Sequence, residues 1–226
     1  IVFLVIVIII GLPSNALVLN RIITLYKGSH KDSVKAGYLL LKLNLTVSDL
    51  MLLLFFATPK VIWMITYEWL GSDILCKLHN YLSMASFYLS SNIIVCIALD
   101  RLRTVLGASK IRRGRKTRSI RILTIFAWTF ALTWASPQLI VHQTVDILSS
   151  PNESWIQCTD VWSIDQALQQ KTGLPDSLQW ILNGSVKVFY EITHLILVFW
   201  GPLIVLLISY AIIAMRLARV SLQGPQ

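Results

Sequence analysis

Five apolar runs, each about 20 residues or longer, constrain this chain more than any other feature. Hydrocarbon offers the backbone no water, so every N–H and C=O must bond within its own segment, which a run of that length does as a membrane-crossing helix. The runs lie at approximately Ile1 to Leu25, Ala36 to Ile65, Leu75 to Leu106, Ile120 to Val141 and Val188 to Val220, with polar connections between them. The 226 residues are 55% hydrophobic and only 14% charged, and the mean hydropathy is +0.67, too apolar for a soluble domain of this size. The expected fold class is all-α: one polytopic transmembrane helix bundle with at least five helices. Ile1 leads in place of Met, and the first run lacks the short apolar core and small-residue cleavage site of a signal peptide, so the N-terminus reads as cut.

Charge placement orients the bundle. Lys27, Lys31 and Lys35 occupy the first connection; Lys110, Arg112, Arg113, Arg115, Lys116, Arg118 and Arg121 crowd the third; Arg216 and Arg219 follow within or beyond the fifth run. The second and fourth connections carry Glu68, Asp73, Asp146, Glu153, Asp160, Asp165 and Asp176, against Lys77, Lys171 and Lys187. Basic loops stay in the cytoplasm, which makes the N-terminus extracellular. A net charge of +9 is compatible with nucleic acid binding in general, but a basic run between two spans reads as a topology determinant beside anionic lipid, so membrane lipid and not nucleic acid is the expected partner. The fourth connection, His142 to Lys187, holds Asn152-Glu153-Ser154 and Asn183-Gly184-Ser185, both glycosylation acceptors on the outer side; Asn44-Leu45-Thr46 fits the pattern but lies inside the second run. There is no internal repeat and no pair of interrupted helices of the kind that build transporter sites.

Three residue groups carry mechanism. Cys96 lies 20 residues beyond Cys76 in the third run, roughly 30 Å deeper along a helix, so it cannot meet Cys158 in the outer loop; the expected bridge is Cys76 to Cys158. Asp49 sits in mid-membrane, at a cost of about 2.5 to 3.5 kcal/mol on insertion scales, and therefore needs a partner or water. Asn15 in the first run and Ser90 in the third are the candidate partners. Asp100 and Arg101 stand 24 and 25 residues after Cys76, about 37 Å along the helix and fully across the membrane. An arginine beside an acid can be held in one packing state and released in another, which is what a switch requires.

These residues resemble the rhodopsin-like G-protein-coupled receptors. The resemblance runs through Gly11 and Asn15, Leu43-Asn44-Leu45 with Ser48-Asp49-Leu50, Trp69 seven residues before Cys76, Leu99-Asp100-Arg101, Trp128, and Pro202 with Tyr210 eight residues on. Trp63 to Leu82, Ser136-Pro137-Gln138-Leu139 and Phe189-Tyr190 are similar to gonadotropin-releasing hormone receptors and their invertebrate adipokinetic hormone relatives. Two departures stand out: Lys60 and Ser83 occupy positions where that group often has an acid and a base, and Leu102 follows Arg101.

The resemblance implies a plasma-membrane receptor, not an enzyme, that takes an extracellular peptide and activates a heterotrimeric G protein. Asn15, Asp49, Ser90, Asp100, Arg101, Pro202 and Tyr210 would form its activation switch. Lys60, Trp63, Gln138 and Tyr190, at the outer ends of their helices, are the candidate ligand contacts. No cofactor is expected beyond a candidate sodium ion at Asp49. No matching sixth or seventh helix follows Val220, so the expectation is a fragment, or a truncated product that acts by association with a full-length receptor; a transporter or channel is a more distant alternative.

Overall fold

The computed structural model describes residues 1–28, 33–106, 113–148, 154–164 and 181–222. Five helical stretches in it are long and apolar enough to cross a membrane: Val2–Gly28, Lys35–Thr66, Asp73–Val105, Arg118–Val141 and Gly184–Leu222, referred to below as spans one to five. Their bounds follow the apolar runs to within a few residues. Span five opens at Gly184, ahead of the expected Val188, because the Asn183 side-chain oxygen accepts the Ser185 backbone N–H at 3.0 Å and caps the first turn. Span three opens on Ser72, whose hydroxyl oxygen accepts from the Leu75 N–H at 3.3 Å, with Asp73 in the first turn where the helix dipole favours an acid.

Span three is the centre of the bundle. Its Ala85, Tyr88, Leu89, Ile93 and Cys96 form one buried cluster with Leu41 of span two and Ile120, Ala127, Ala131 and Ala135 of span four. The last three alanines recur every four residues, so they share one helix face and let spans three and four approach closely, as helices in lipid must when packing rather than water drives them together. Span one closes on span two at Gly11, where a Cβ would come within 2.9 Å of the Leu53 side chain. Asn44 is spent inside the membrane: its amide donates to the Leu40 carbonyl and its oxygen accepts from the Trp128 indole N–H, both at 2.8 Å.

Two spans carry a π-helical turn, and each precedes a proline. In span two the turn covers Leu52–Ala57, ahead of Pro59; in span five it covers Ile196–Trp200, ahead of Pro202. A proline lacks the N–H for its i−4 carbonyl and its ring crowds that oxygen, so the helix widens by one residue beforehand. The Thr58 and Gly201 N–H groups accordingly reach back five residues, to Leu53 O and Ile196 O. The carbonyls that the prolines release, Phe55 O and Val198 O, each accept a hydroxyl from span three, Ser83 and Ser91, at 2.8 Å. Neither turn is visible as a break in the apolar pattern.

The outer loop contains a hairpin that alternation alone does not reveal. Strands β1 (His142–Asp146) and β2 (Ile156–Asp160) pair antiparallel with Thr144 opposite Cys158. At five residues each the strands need outside support. Thr144 N–H donates to Asp73 Oδ1 at 2.9 Å, and Trp69 N–H to Ile156 O at 2.9 Å. Tyr67, left-handed at φ 56°, ends span two and turns its carbonyl toward β2, where Trp155 Nε1 and Gln157 Nε2 both donate to it.

Candidate functional site

At the end of the bundle that carries the hairpin, Cys76 and Cys158 are bonded, with 5.6 Å between their Cα atoms. The bridge fixes β2 to the first turn of span three and roofs the space between the helices. Cys96 is the free, buried cysteine, packed in the span-three cluster as expected.

Beneath the roof lies a cavity of about 480 Å³ between spans three, four and five. Its wall includes Asn80, Gln138, His142, Trp162, Tyr190 and His194. His194 organises it: the Tyr88 hydroxyl and Gln138 Nε2 meet its two ring nitrogens, the latter at 3.4 Å, and the Tyr190 ring stands edge-on to it at 4.4 Å. Gln138 is 2% exposed, so its amide is held by the protein and not by bulk water. Two buried polar atoms on this wall, Tyr190 Oη and His142 Nδ1, have no hydrogen-bond partner among the described residues. Such atoms lose hydration without recompense unless a bound molecule or water supplies it. Burial pushes the His142 imidazole below its usual range; Asp160 opposes this and His79 adds to it.

The four expected ligand residues divide between two places. Gln138 and Tyr190 face the cavity just described. Trp63 lines a second, smaller one of about 390 Å³ under the hairpin, with Val145, Ile147, Trp155 and Gln157; its indole N–H donates to Gln157 Oε1 at 3.0 Å. Lys60 covers the Trp63 ring, Nζ 4.5 Å from its centroid. His142, Trp162 and His194 join the wall without having been expected, and Tyr88 backs it through His194. For His194 a signal existed: a histidine inside an apolar run is costly, and the argument that singles out Asp49 applies to it equally.

In mid-membrane the expected pairing is not made. Asn15 Nδ2 donates to Gly11 O of its own helix at 2.9 Å, so its donor capacity is met locally, and neither it nor Ser90 bonds Asp49. Among the described residues the half-buried Asp49 carboxylate has no hydrogen-bond or ion-pair partner, and a carboxylate so placed in lipid is costly. No group of three metal-binding side chains occurs among them. At the inner end, Asp100 is buried at 9% exposure and Arg101 points outward, its guanidinium carbon 4.8 Å from the centroid of the Tyr38 ring. Pro202 is the second residue of the helix that follows the π turn of span five, and Tyr210, half exposed, lies two turns further along. Asn183 is exposed with its amide oxygen in the cap, whereas Asn152 lies outside the described residues, as do Lys31, Lys110, Arg112, Glu153, Asp165, Lys171 and Asp176.

A roofed cavity at one membrane face and an arginine at the other, joined by one long helix, form the arrangement of a transmembrane receptor. The sequence matches the 7 transmembrane receptor (rhodopsin family) over residues 14–226, and the chain belongs to that family. It is 36% identical to the G-protein coupled receptor daf-38 of Caenorhabditis elegans over 174 residues, 77% of this chain and 40% of that protein. It is 31% identical to the gonadotropin-releasing hormone receptor of Octopus vulgaris, covering 80% of this chain and 39% of the relative, and 29% identical to the annetocin receptor of Eisenia fetida, covering 68% and 35%. The chain thus spans about two fifths of the length of the curated relatives it matches.

Proposed function

We propose that this chain supplies the ligand pocket and the arginine switch of a peptide-hormone receptor of the plasma membrane, with its N-terminal side outside, which activates a heterotrimeric G protein within. The observation that carries the reading is the outer cavity: its volume suits a few residues of a peptide, its wall is aromatic, and Tyr190 Oη and His142 Nδ1 stand ready for polar groups of a ligand. The relatives named for gonadotropin-releasing hormone and annetocin favour a short peptide over a small amine or lipid. Arg101, Asp100 and Asp49 lie along the inner half of the bundle, where repacking in response to the ligand would reach the cytoplasm.

The test is expression of the full-length protein in cultured cells, challenged with gonadotropin-releasing hormone, adipokinetic hormone, annetocin and vasopressin peptides, with calcium and cyclic nucleotide as readouts. At least one peptide should act, and Gln138→Ala or Tyr190→Ala should raise its half-maximal concentration about tenfold, the effect of about 1.4 kcal/mol. Arg101→Ala should abolish coupling, Asp100→Asn should raise ligand-independent signalling, and Asp49→Ala should blunt the response without raising the basal level. Surface-expressed protein that neither responds to any of these peptides nor shows basal signalling would refute the reading.

A further inference from the structure

The inner end of span two places an aromatic ring against the arginine of the switch. Tyr38 lies in the first turns of that span, and its ring carries two cations: the Arg101 guanidinium carbon at 4.8 Å from the centroid and Lys42 Nζ at 4.7 Å. Lys42 is four residues from Tyr38 on the same helix, so its approach is fixed by local geometry, whereas Arg101 comes from span three. The guanidinium is thus held by a neighbouring helix through the face of a ring, an attraction that grows as water is excluded.

We propose that Tyr38 is a positioning residue for Arg101: a clamp on span two that holds the guanidinium in the resting arrangement and must let go for the switch to operate. This rests on the receptor reading above and adds to it a specific contact between spans two and three. Lys42 has a defined part. It competes with Arg101 for one ring and repels it as a like charge, so it keeps the clamp weak enough to open. A clamp of this kind shifts a population, and its loss changes the active fraction by the factor by which the ring favours the bound arginine.

The experiment uses the full-length protein in cultured cells and reads basal second messenger per surface receptor, so no ligand is needed. Tyr38→Leu removes the ring and should raise the basal signal by a factor between about two, for an exposed ring, and about thirty, for a desolvated one. Tyr38→Phe keeps the ring and should signal like wild type. Lys42→Leu should lower the basal signal and should have no effect once Tyr38 is leucine, a non-additivity that general loosening of the bundle would not produce. If Tyr38→Leu signals like wild type while Arg101→Ala is silent, the clamp is wrong and the receptor reading stands. If Arg101→Ala also signals like wild type, both fall. Should Tyr38→Leu fail to reach the surface, fluorotyrosine at position 38 in purified full-length protein gives a second measurement. Its fluorine resonance should move on Arg101→Gln, and a resonance indifferent to that change overturns the clamp.

Discussion

Replacing Trp128 with phenylalanine tests whether the hydrogen bond to Asn44 pins spans two and four together. The indole N–H donates to Asn44 Oδ1 at 2.8 Å, and the Asn44 amide is already committed to Leu40 O, so the asparagine has no spare freedom to find another partner. Trp128→Phe keeps an aromatic ring against the central cluster but leaves Asn44 Oδ1 without its donor; Asn44→Leu leaves the indole N–H without its acceptor. An interhelical hydrogen bond in lipid is worth about 0.6 kcal/mol on average and up to about 1.7. An unmet buried polar group costs about 1 to 3 kcal/mol, so each single change should cost about 1 to 3 kcal/mol, less whatever relaxation recovers. The double change removes donor and acceptor together and should cost less than the sum by at least about 0.6 kcal/mol. The assay is unfolding of the purified protein in mixed detergent micelles, followed by far-ultraviolet circular dichroism so that loss of the tryptophan does not alter the signal. Additivity of the two changes to within about 0.3 kcal/mol would mean the contact carries no energy, and the account of Asn44 as a pin between two spans would be abandoned.

Cys76→Ser or Cys158→Ser should reduce surface delivery sharply, because the bridge closes a loop of 82 residues, worth about 4.5 kcal/mol in loop-closure entropy; surface labelling reads this, and undiminished delivery of both variants refutes it. Glycan should be found on Asn152 or Asn183 and never on Asn44, which is bonded within the membrane; a mobility shift on glycosidase treatment that depends on Asn44 would overturn the orientation. His142 is held neutral by burial, so the unfolded chain takes up a proton first as pH falls: stability is fully present above about pH 6.5 and declines below it by up to about 1.4 kcal/mol per pH unit. Thermal melting at pH 7.5 and 5.5 should show this loss, and His142→Gln should reduce it; an unchanged difference in that variant would rule out His142 as the cause.

What the sequence made legible is what depends on length. The spans follow from the extent of apolar runs, and the bridge from the depth of Cys96 along its helix. The hairpin was not legible, because its five-residue strands are ordered by partners far away in the chain, Tyr67, Trp69 and Asp73. The partners of Asp49 were misjudged for the converse reason: Asn15 meets its need on its own helix, a choice the residue type alone does not disclose. Asn44 reads as a chance acceptor motif, yet its side chain links two spans. Pro59 and Pro202 each release a carbonyl, and which hydroxyl meets it is set by the packing of span three and not by the local sequence.

The proline at position 202 turns the inner part of span five into a lever. From Pro202 to Leu222 the helix continues for 20 residues, about 30 Å, while immediately outside it the widened turn and the Ser91 hydroxyl on Val198 O form the bearing. The cavity-lining residues Tyr190, Glu191, His194, Leu195, Val198 and Phe199 all sit on the short outer arm. A tilt of about 5° about such a bearing would sweep the far end of a 30 Å arm by roughly 2.6 Å, about half the pitch of a helix. A displacement too small to disturb the packing around the cavity would thus arrive at the far end of the arm as a shift of about half a helical turn.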